Sequence, residues 1–383
     1  MEIKLSVIIP TYNCSSLLLR CLQSLEQQTA SKSDYEVIVV DDGSSDDTGE
    51  ILEKFVKKTS LSLKILYEPH QGPAAARNKG IANAQTEWIG FLDSDMVINP
   101  EWISKGLALL RYNPNAGGFE GRTEIGEREK VTPFTHQLSN VKGGRYQTCN
   151  LILRKSLCQF YPAYKIPFRE DTDLAFSILE RGHEIVFDPT LLAYHPPIHP
   201  RYDRPIRDAL RYYYDGLLER RFPHRYKSEV DVHYIGKIKL PHLRRKIYSA
   251  FAWSQMIFLL SMLLSAVPTS IVMVFGAVHL FAFSTVILIH LRHIQYTQLK
   301  WIDFLGIIGV AYIVPWVLII QRWRGLIAFK NESEFSIENL QIYQLAVPKN
   351  KSSRKIIPLH SHTQMKQEAN SVFTDKPSYY GRK

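Results

Sequence analysis

Short apolar runs alternate with helical periodicity along the first 110 residues. Residues 5–9 (LSVII) read as a buried strand, and Leu18, Leu22 and Leu25 then mark one face of a helix. The pattern repeats: 36–40 (EVIVV) precedes a helix around 51–56, 63–67 (LKILY) precedes one over 74–84, and 88–92 (WIGFL) precedes one near 102–110. This βαβα order predicts the α/β class, a mostly parallel sheet with helices on both faces. In such sheets ligands bind beyond the carboxyl ends of the strands. The residues directly after each strand are therefore the ones that carry chemistry.

The second half follows a different pattern. Residues 247–291 contain no Asp, Glu, Lys or Arg over 45 positions. A membrane-crossing helix needs roughly 20 apolar residues. Residues 247–267 and 269–291 each meet this, with Pro268 between them, and 304–320 is a third candidate, interrupted by Gly306, Gly309 and Pro315. The four expected parts are a catalytic domain (1–225), a basic linker (226–246), a transmembrane region (247–321) and a polar, basic tail (322–383) that is disordered toward its end.

Charge sharpens this division. The 383-residue chain carries a net +10, yet residues 1–200 hold 21 basic against 25 acidic side chains. Residues 201–246 hold 13 against 6, and 322–383 hold 11 against 5. Basic blocks flanking an uncharged apolar stretch fit a membrane protein and disfavour nucleic acid as partner. Arg244-Arg245-Lys246 places the residues before the first span on the cytoplasmic side. No basic leader precedes the first strand, so the N-terminal domain is expected in the cytosol, as in an integral protein of a bacterial inner membrane. Three full crossings would put the basic tail outside, against the same charge rule, so the path of 304–320 stays open. Arg201–Lys246 also mixes its cations with aromatics such as Tyr212, Tyr213, Tyr214 and Phe222, which suits a bilayer surface and would bring an acceptor site near it. Cys14, Cys21, Cys149 and Cys158 form no C-x-x-C pair, which argues against a zinc module or a disulfide scaffold.

The strand ends supply the chemistry. Pro10-Thr11-Tyr12-Asn13 follows the first strand, Asp41-Asp42-Gly43-Ser44 the second and Asp93-Ser94-Asp95 the fourth. Each alone suits an ordinary turn. Together they gather carboxylates that repel one another unless a cation or donor groups lie among them. Asp93-x-Asp95 places two carboxylates within reach of one hard ion, Mg²⁺ or Mn²⁺. No G-x-G-x-x-G follows the first strand and no P-loop motif occurs, which disfavours dinucleotide and P-loop nucleotide folds.

With residues 5–13 (LSVIIPTYN), 39–48 (VVDDGSSDDT), 72–80 (GPAAARNKG), 88–95 (WIGFLDSD) and 168–174 (FREDTDL) in this order, the chain resembles the family-2 inverting glycosyltransferases over about residues 4–200. The resemblance implies a GT-A fold, Rossmann-like, and a nucleotide-diphosphate-sugar donor, with UDP as the favoured nucleotide. It implies that Pro10, Tyr12 and Asp42 form the nucleotide pocket, that Asp93 contacts the ribose and that Asp95 coordinates the divalent cation. Arg77 and Asn78 lie in a helix opening near Gly72-Pro73, where Arg77 suits a phosphate or is an exposed helix arginine. Asp171 is implied as the base that deprotonates the acceptor hydroxyl, with crowding by Glu170 raising its pKa. Asp173 is explained by the helix dipole alone. His195, after 184–194 (EIVFDPTLLAY), completes the metal site or is a surface histidine among prolines.

Processive synthases of this family carry Gln-x-x-Arg-Trp before their C-terminal spans. Here Gln321-Arg322-Trp323 lacks that spacing and follows the apolar block. The expectation is transfer of one sugar, or few, to a lipid or lipid-linked acceptor at the cytoplasmic face, in the biosynthesis of a cell-envelope glycan. A processive polysaccharide synthase and an inert nucleotide-sugar-binding subunit are the alternatives, and homo-oligomerisation stays open.

Overall fold

The structure, a computed structural model, describes residues 3–127, 131–230, 232–235, 238–292 and 300–337. The tail expected to become disordered lies outside the described residues from 338 onward. The described chain divides into two compact units, 3–127 with 138–196, and 131–137 with 197–337.

The first unit is built on an eight-stranded sheet in the order β3-β2-β1-β4-β7-β6-β8-β5. Its strands are β1 Leu5–Thr11, β2 Tyr35–Asp41, β3 Leu63–Tyr67, β4 Trp88–Leu92, β5 Val97–Ile98, β6 Gly118–Ile125, β7 Asn150–Arg154 and β8 Ile185–His195. Strands β3, β2, β1 and β4 run parallel, whereas β7 is antiparallel to both β4 and β6. The helices are α1 Ser15–Glu26, α2 Thr48–Val56, α3 Pro73–Asn83, α4 Trp102–Tyr112 and α5 Glu170–Glu180. The four strand–helix alternations read from the sequence are present, joined to a mixed edge whose strands other than β5 lie beyond the first 110 residues.

Apolar burial holds this unit together. Val7, Ile9, Val37, Val39 and Leu92 are fully buried with Leu18, Leu22 and Leu25 from α1. Each such side chain contributes roughly 1.5–3 kcal/mol relative to an exposed one. Trp102 is also fully buried, and its indole N–H donates to Asn150 Oδ1 at 2.8 Å. Because β1 pairs with β2 on one side and β4 on the other, successive connections leave β1 in opposite directions. That reversal opens a crevice at the carboxyl ends of β1 and β4.

The second unit is helical: α6 Arg204–Leu210, a 3₁₀ turn Arg211–Tyr214, α7 Asp215–Arg221 and α8 Pro223–Glu229 precede a hairpin of β9 Val232–Ile235 and β10 Ile238–Pro241. Three long helices follow, α9 Leu243–Leu263, α10 Thr269–Arg292 and α11 Trp301–Ala328. Among the described residues, Thr269–Leu291 and Trp301–Ala328 are long and apolar enough to cross a membrane. The third expected segment is longer than its sequence breaks suggested, since α11 continues through Pro315. The first is shifted toward the N-terminus: the 21-residue α9 opens with Leu243, Arg244, Arg245 and Lys246, ends at Leu263 and is not apolar enough to meet the same criteria.

Candidate active site

The loops after β1, β2 and β3 are laced together by short polar side chains. Asn13 Oδ1 accepts from the Ser45 amide at 2.8 Å, and the Asn13 amide donates to Ser44 Oγ at 2.9 Å. Asp42 is 3% exposed, and its carboxylate accepts the amides of Gln71 at 2.7 Å and Gly72 at 2.9 Å. The His70 ring nitrogen Nδ1 lies 2.9 Å from Asp42 Oδ2. The His70 ring in turn stacks on the exposed Tyr12, with centroids 4.1 Å apart. Pro10, half-buried in β1 opposite Val40, stands two residues before that ring. Asp42 is thus no solvated turn carboxylate; it fixes the entry to α3. Gly72 makes the entry possible, because its φ is +97° and a Cβ there would lie 2.5 Å from the Lys165 carbonyl oxygen.

A second cluster forms where β4 ends. Arg77 on α3 is 2% exposed, so it is not a surface helix arginine. Its Nη2 donates to Asp93 Oδ1 at 2.7 Å and its Nη1 to Glu170 Oε1 at 3.0 Å. Asn78, one residue on, exchanges two hydrogen bonds with the Phe160 backbone, at 2.8 and 2.9 Å. Asp95 Oδ2 lies 3.3 Å from Nε2 of His195, which is fully buried and so is no surface histidine. The short strand β5 produces that approach: it pairs Val97 with Tyr194 and draws the Asp95 loop against the end of β8.

The fit of a divalent cation can be judged from these atoms. Two ligand atoms on one octahedral ion with bonds of about 2.1 Å stand about 3 Å apart, close to the Asp95–His195 separation. Among the described residues no group of three or more His, Cys, Asp or Glu side chains gathers as a complete metal cage. Mg²⁺ and similar ions commonly take one or two protein ligands and complete their shell with water and phosphate oxygens. Asp95 and His195 fit such a partial site.

Helix α5 opens the third cluster. Arg169 precedes it in the left-handed region, φ 75°, and turns the chain so that Glu170 points into the protein with 3% exposure. Asp171 is half-buried, and its Oδ1 accepts the Thr172 amide at 2.6 Å and the Thr172 hydroxyl at 3.2 Å. Burial raises the Asp171 carboxyl above its ordinary value, against the pull of the Thr172 amide and Arg77. Burial and the adjacent Asp171 charge push Glu170 up to about 7. The crowding expected to act on Asp171 thus acts chiefly on Glu170. Asp173 does more than face a helix dipole, for it is buried and accepts the Tyr164 hydroxyl at 3.1 Å.

Two contributors escape a reading of the sequence. His70 lies in a five-residue loop with no motif of its own, and only the Gly72-Pro73 helix start hints that this loop is shaped. Glu120, inside β6, is 1% exposed and accepts Gly144 at 2.6 Å, Arg145 at 2.9 Å and Tyr146, which holds the loop after Asn140. A carboxylate within a strand gives no signal of that role.

Known proteins resemble parts of this chain. The chain is 39% identical over 107 residues to the poly(ribitol-phosphate) beta-N-acetylglucosaminyltransferase TarS of Staphylococcus aureus strain Mu50, covering 28% of this chain and 19% of that protein. It is 30% identical over 202 residues to the glycosyltransferase AglE of Haloferax volcanii, covering 50% of this chain and 66% of AglE. The chain therefore spans only part of the length of these relatives. Among solved structures, a mannosyltransferase of Pyrobaculum calidifontis in complex with GDP-Man and Mn²⁺ aligns at a TM-score of 0.44 and 16% identity, covering 90% of this chain and 80% of that one. Residues 6–177 match glycosyl transferase family 2, and the chain carries a domain of that family.

Proposed function

We propose that this chain is a membrane-anchored, inverting glycosyltransferase that moves a sugar from a nucleotide-diphosphate donor, a UDP-sugar first, to a lipid or lipid-linked acceptor at the cytoplasmic face of a membrane. One observation carries the reading: the Asp93 loop and the Asp171 helix start, nearly 80 residues apart in sequence, share one buried charged cluster through Arg77 and Glu170. In this reading Tyr12, Pro10 and Asp42 hold the nucleoside, and Asp93 takes the ribose. Asp95 and His195 hold Mg²⁺ or Mn²⁺. The chemistry such an ion supplies is charge compensation at the departing nucleoside diphosphate. Asp171, its pKa raised by burial, accepts the proton of the acceptor hydroxyl as that oxygen attacks the anomeric carbon. The names of the relatives, a poly(ribitol-phosphate) beta-N-acetylglucosaminyltransferase and a glycosyltransferase, support transfer of a sugar. Two apolar helices and the basic residues 201–246 support the membrane.

The deciding experiment uses the full chain in lipid with Mn²⁺ or Mg²⁺. UDP-, GDP- and dTDP-sugars are screened for nucleoside diphosphate release, with and without a membrane-lipid extract. Release that needs one donor, the cation and the lipid is expected. Release that is indifferent to lipid would remove the lipid acceptor, and a long polymer as product would replace single transfer with processive synthesis.

A further inference from the structure

Arg77 has a place in the fold that a phosphate contact does not require. It comes from the first helical turns of α3, Asp93 from the end of β4 and Glu170 from the start of α5. Its guanidinium lies 5.4 Å from the centroid of the Phe160 ring, and both terminal nitrogens are engaged by carboxylates. Arg77 Nε and Glu170 Oε2 are buried without a hydrogen-bond partner among the described residues. A buried, incompletely satisfied ion cluster is poor at stabilising a fold, because desolvation offsets much of the Coulomb gain. Its retention calls for another reason.

We propose that Arg77 is a positioning residue that locks the Asp93 loop to the Glu170–Asp171 helix start, fixing the donor-binding carboxylate relative to the base, rather than a ligand of the donor phosphates. This rests on the glycosyltransferase reading above. A planar guanidinium can bind two carboxylates at a fixed angle, whereas an ammonium is a single point charge. Arg77 thereby sets both a distance and a charge: it neutralises the surroundings of Asp171 and holds the base's pKa below what burial alone would impose.

The test combines three variants, Arg77→Gln, Arg77→Lys and Arg77→Gln with Glu170→Gln. Turnover of Arg77→Gln should fall on the order of 10²-fold. The acidic limb of its kcat profile should move up by about one pH unit, since a positive neighbour of the base is gone. Arg77→Lys should recover part of the rate, and the double variant should return the limb toward its original position by removing the opposing charge. Binding of the nucleoside and of its diphosphate, measured by calorimetry, should weaken by equal factors. Weakening confined to the diphosphate, with an unmoved pH limb, would overturn the proposal and make Arg77 a phosphate ligand. Thermal melting gives a readout independent of turnover: Arg77→Gln should lower Tm and the added Glu170→Gln should restore it, and no restoration would also overturn the proposal. Absence of turnover by the unaltered chain with every donor would instead sink the transferase reading, leaving melting and nucleotide binding to decide on Arg77.

Discussion

The two units bury polar groups for opposite ends. In the first, an apolar sheet supports ionisable side chains that are expensive to hide: Asp42, Arg77, Glu120, Glu170, Asp173 and His195. Their hydrogen bonds join loops that follow different strands, so the cost of desolvation goes into geometry. The second unit turns apolar side chains outward, with Leu263 81%, Phe281 76% and Met273 72% exposed. Around an apolar core that includes Phe251, Val286 and Ile307, and beside a few buried charges such as Asp215 and Asp303, its long helices are joined by neutral polar contacts, Ser254 with His279 at 3.2 Å and Gln255 with Trp316 at 2.7 Å and with Tyr312. In the proposed membrane setting the surroundings are as apolar as the helix surface, so burial of hydrocarbon gives little drive to pack and small residues and hydrogen bonds take over. Gly216 and Gly325 show the same logic, since α11 approaches α7 and the 3₁₀ turn before it so closely that a Cβ on either glycine would overlap backbone. Arg322, from the Gln321-Arg322-Trp323 run, pairs with Glu219 of α7 and so belongs to this packing.

The contrast can be broken from either side. The largest effect is expected for Asp171→Asn, which should lower transfer on the order of 10²–10⁴-fold while nucleotide binding, followed by calorimetry, stays intact. Retained transfer would take the base away from α5. Next, Gly325→Leu should destabilise the helical unit by about 3 kcal/mol, because the side chain must displace the Tyr213 carbonyl. Circular dichroism melts should show that loss, and nucleotide binding serves as the control; an unchanged melt would mean the helices are not closely packed there.

Glu170 provides a pH test of comparable size. Its folded pKa of about 7 lies above the ordinary value of 4.5, so the folded state binds more protons between those values. Stability should therefore fall as pH rises from about 4.5 to 7 and level off above, by on the order of 3 kcal/mol. Glu170→Gln should flatten that slope in urea titrations, and an identical slope in the variant would contradict it. Gly72→Ala puts an L side chain in a backbone region that is essentially glycine's alone and sets its Cβ against the Lys165 carbonyl, costing about 3 kcal/mol. It should raise the donor KM through the loosened Asp42 contact, and an unchanged KM would detach this loop from donor binding. Lys54→Ala removes only an exposed pair with Glu50 and should leave Tm and activity where they are, since such surface pairs contribute little.

Sequence alone determined a good deal of this protein. The alternation of strand and helix patterns to residue 110 gave the parallel half of the sheet, because period-2 and period-3.6 hydrophobicity are local properties of the chain. The uncharged stretch gave the helical unit, and the strand-end rule located Asp42, Asp93 and Asp95. What pairs with what was decided only by the tertiary structure. That Arg77 joins Asp93 to Glu170, that β5 draws Asp95 to His195, and that His70 bridges Tyr12 and Asp42 all depend on strand order and register. These partners lie between 16 and 100 positions apart in sequence, and no local pattern encodes them. They form because strand pairing brings their backbones together, and burial then leaves each charge only the neighbours the fold supplies.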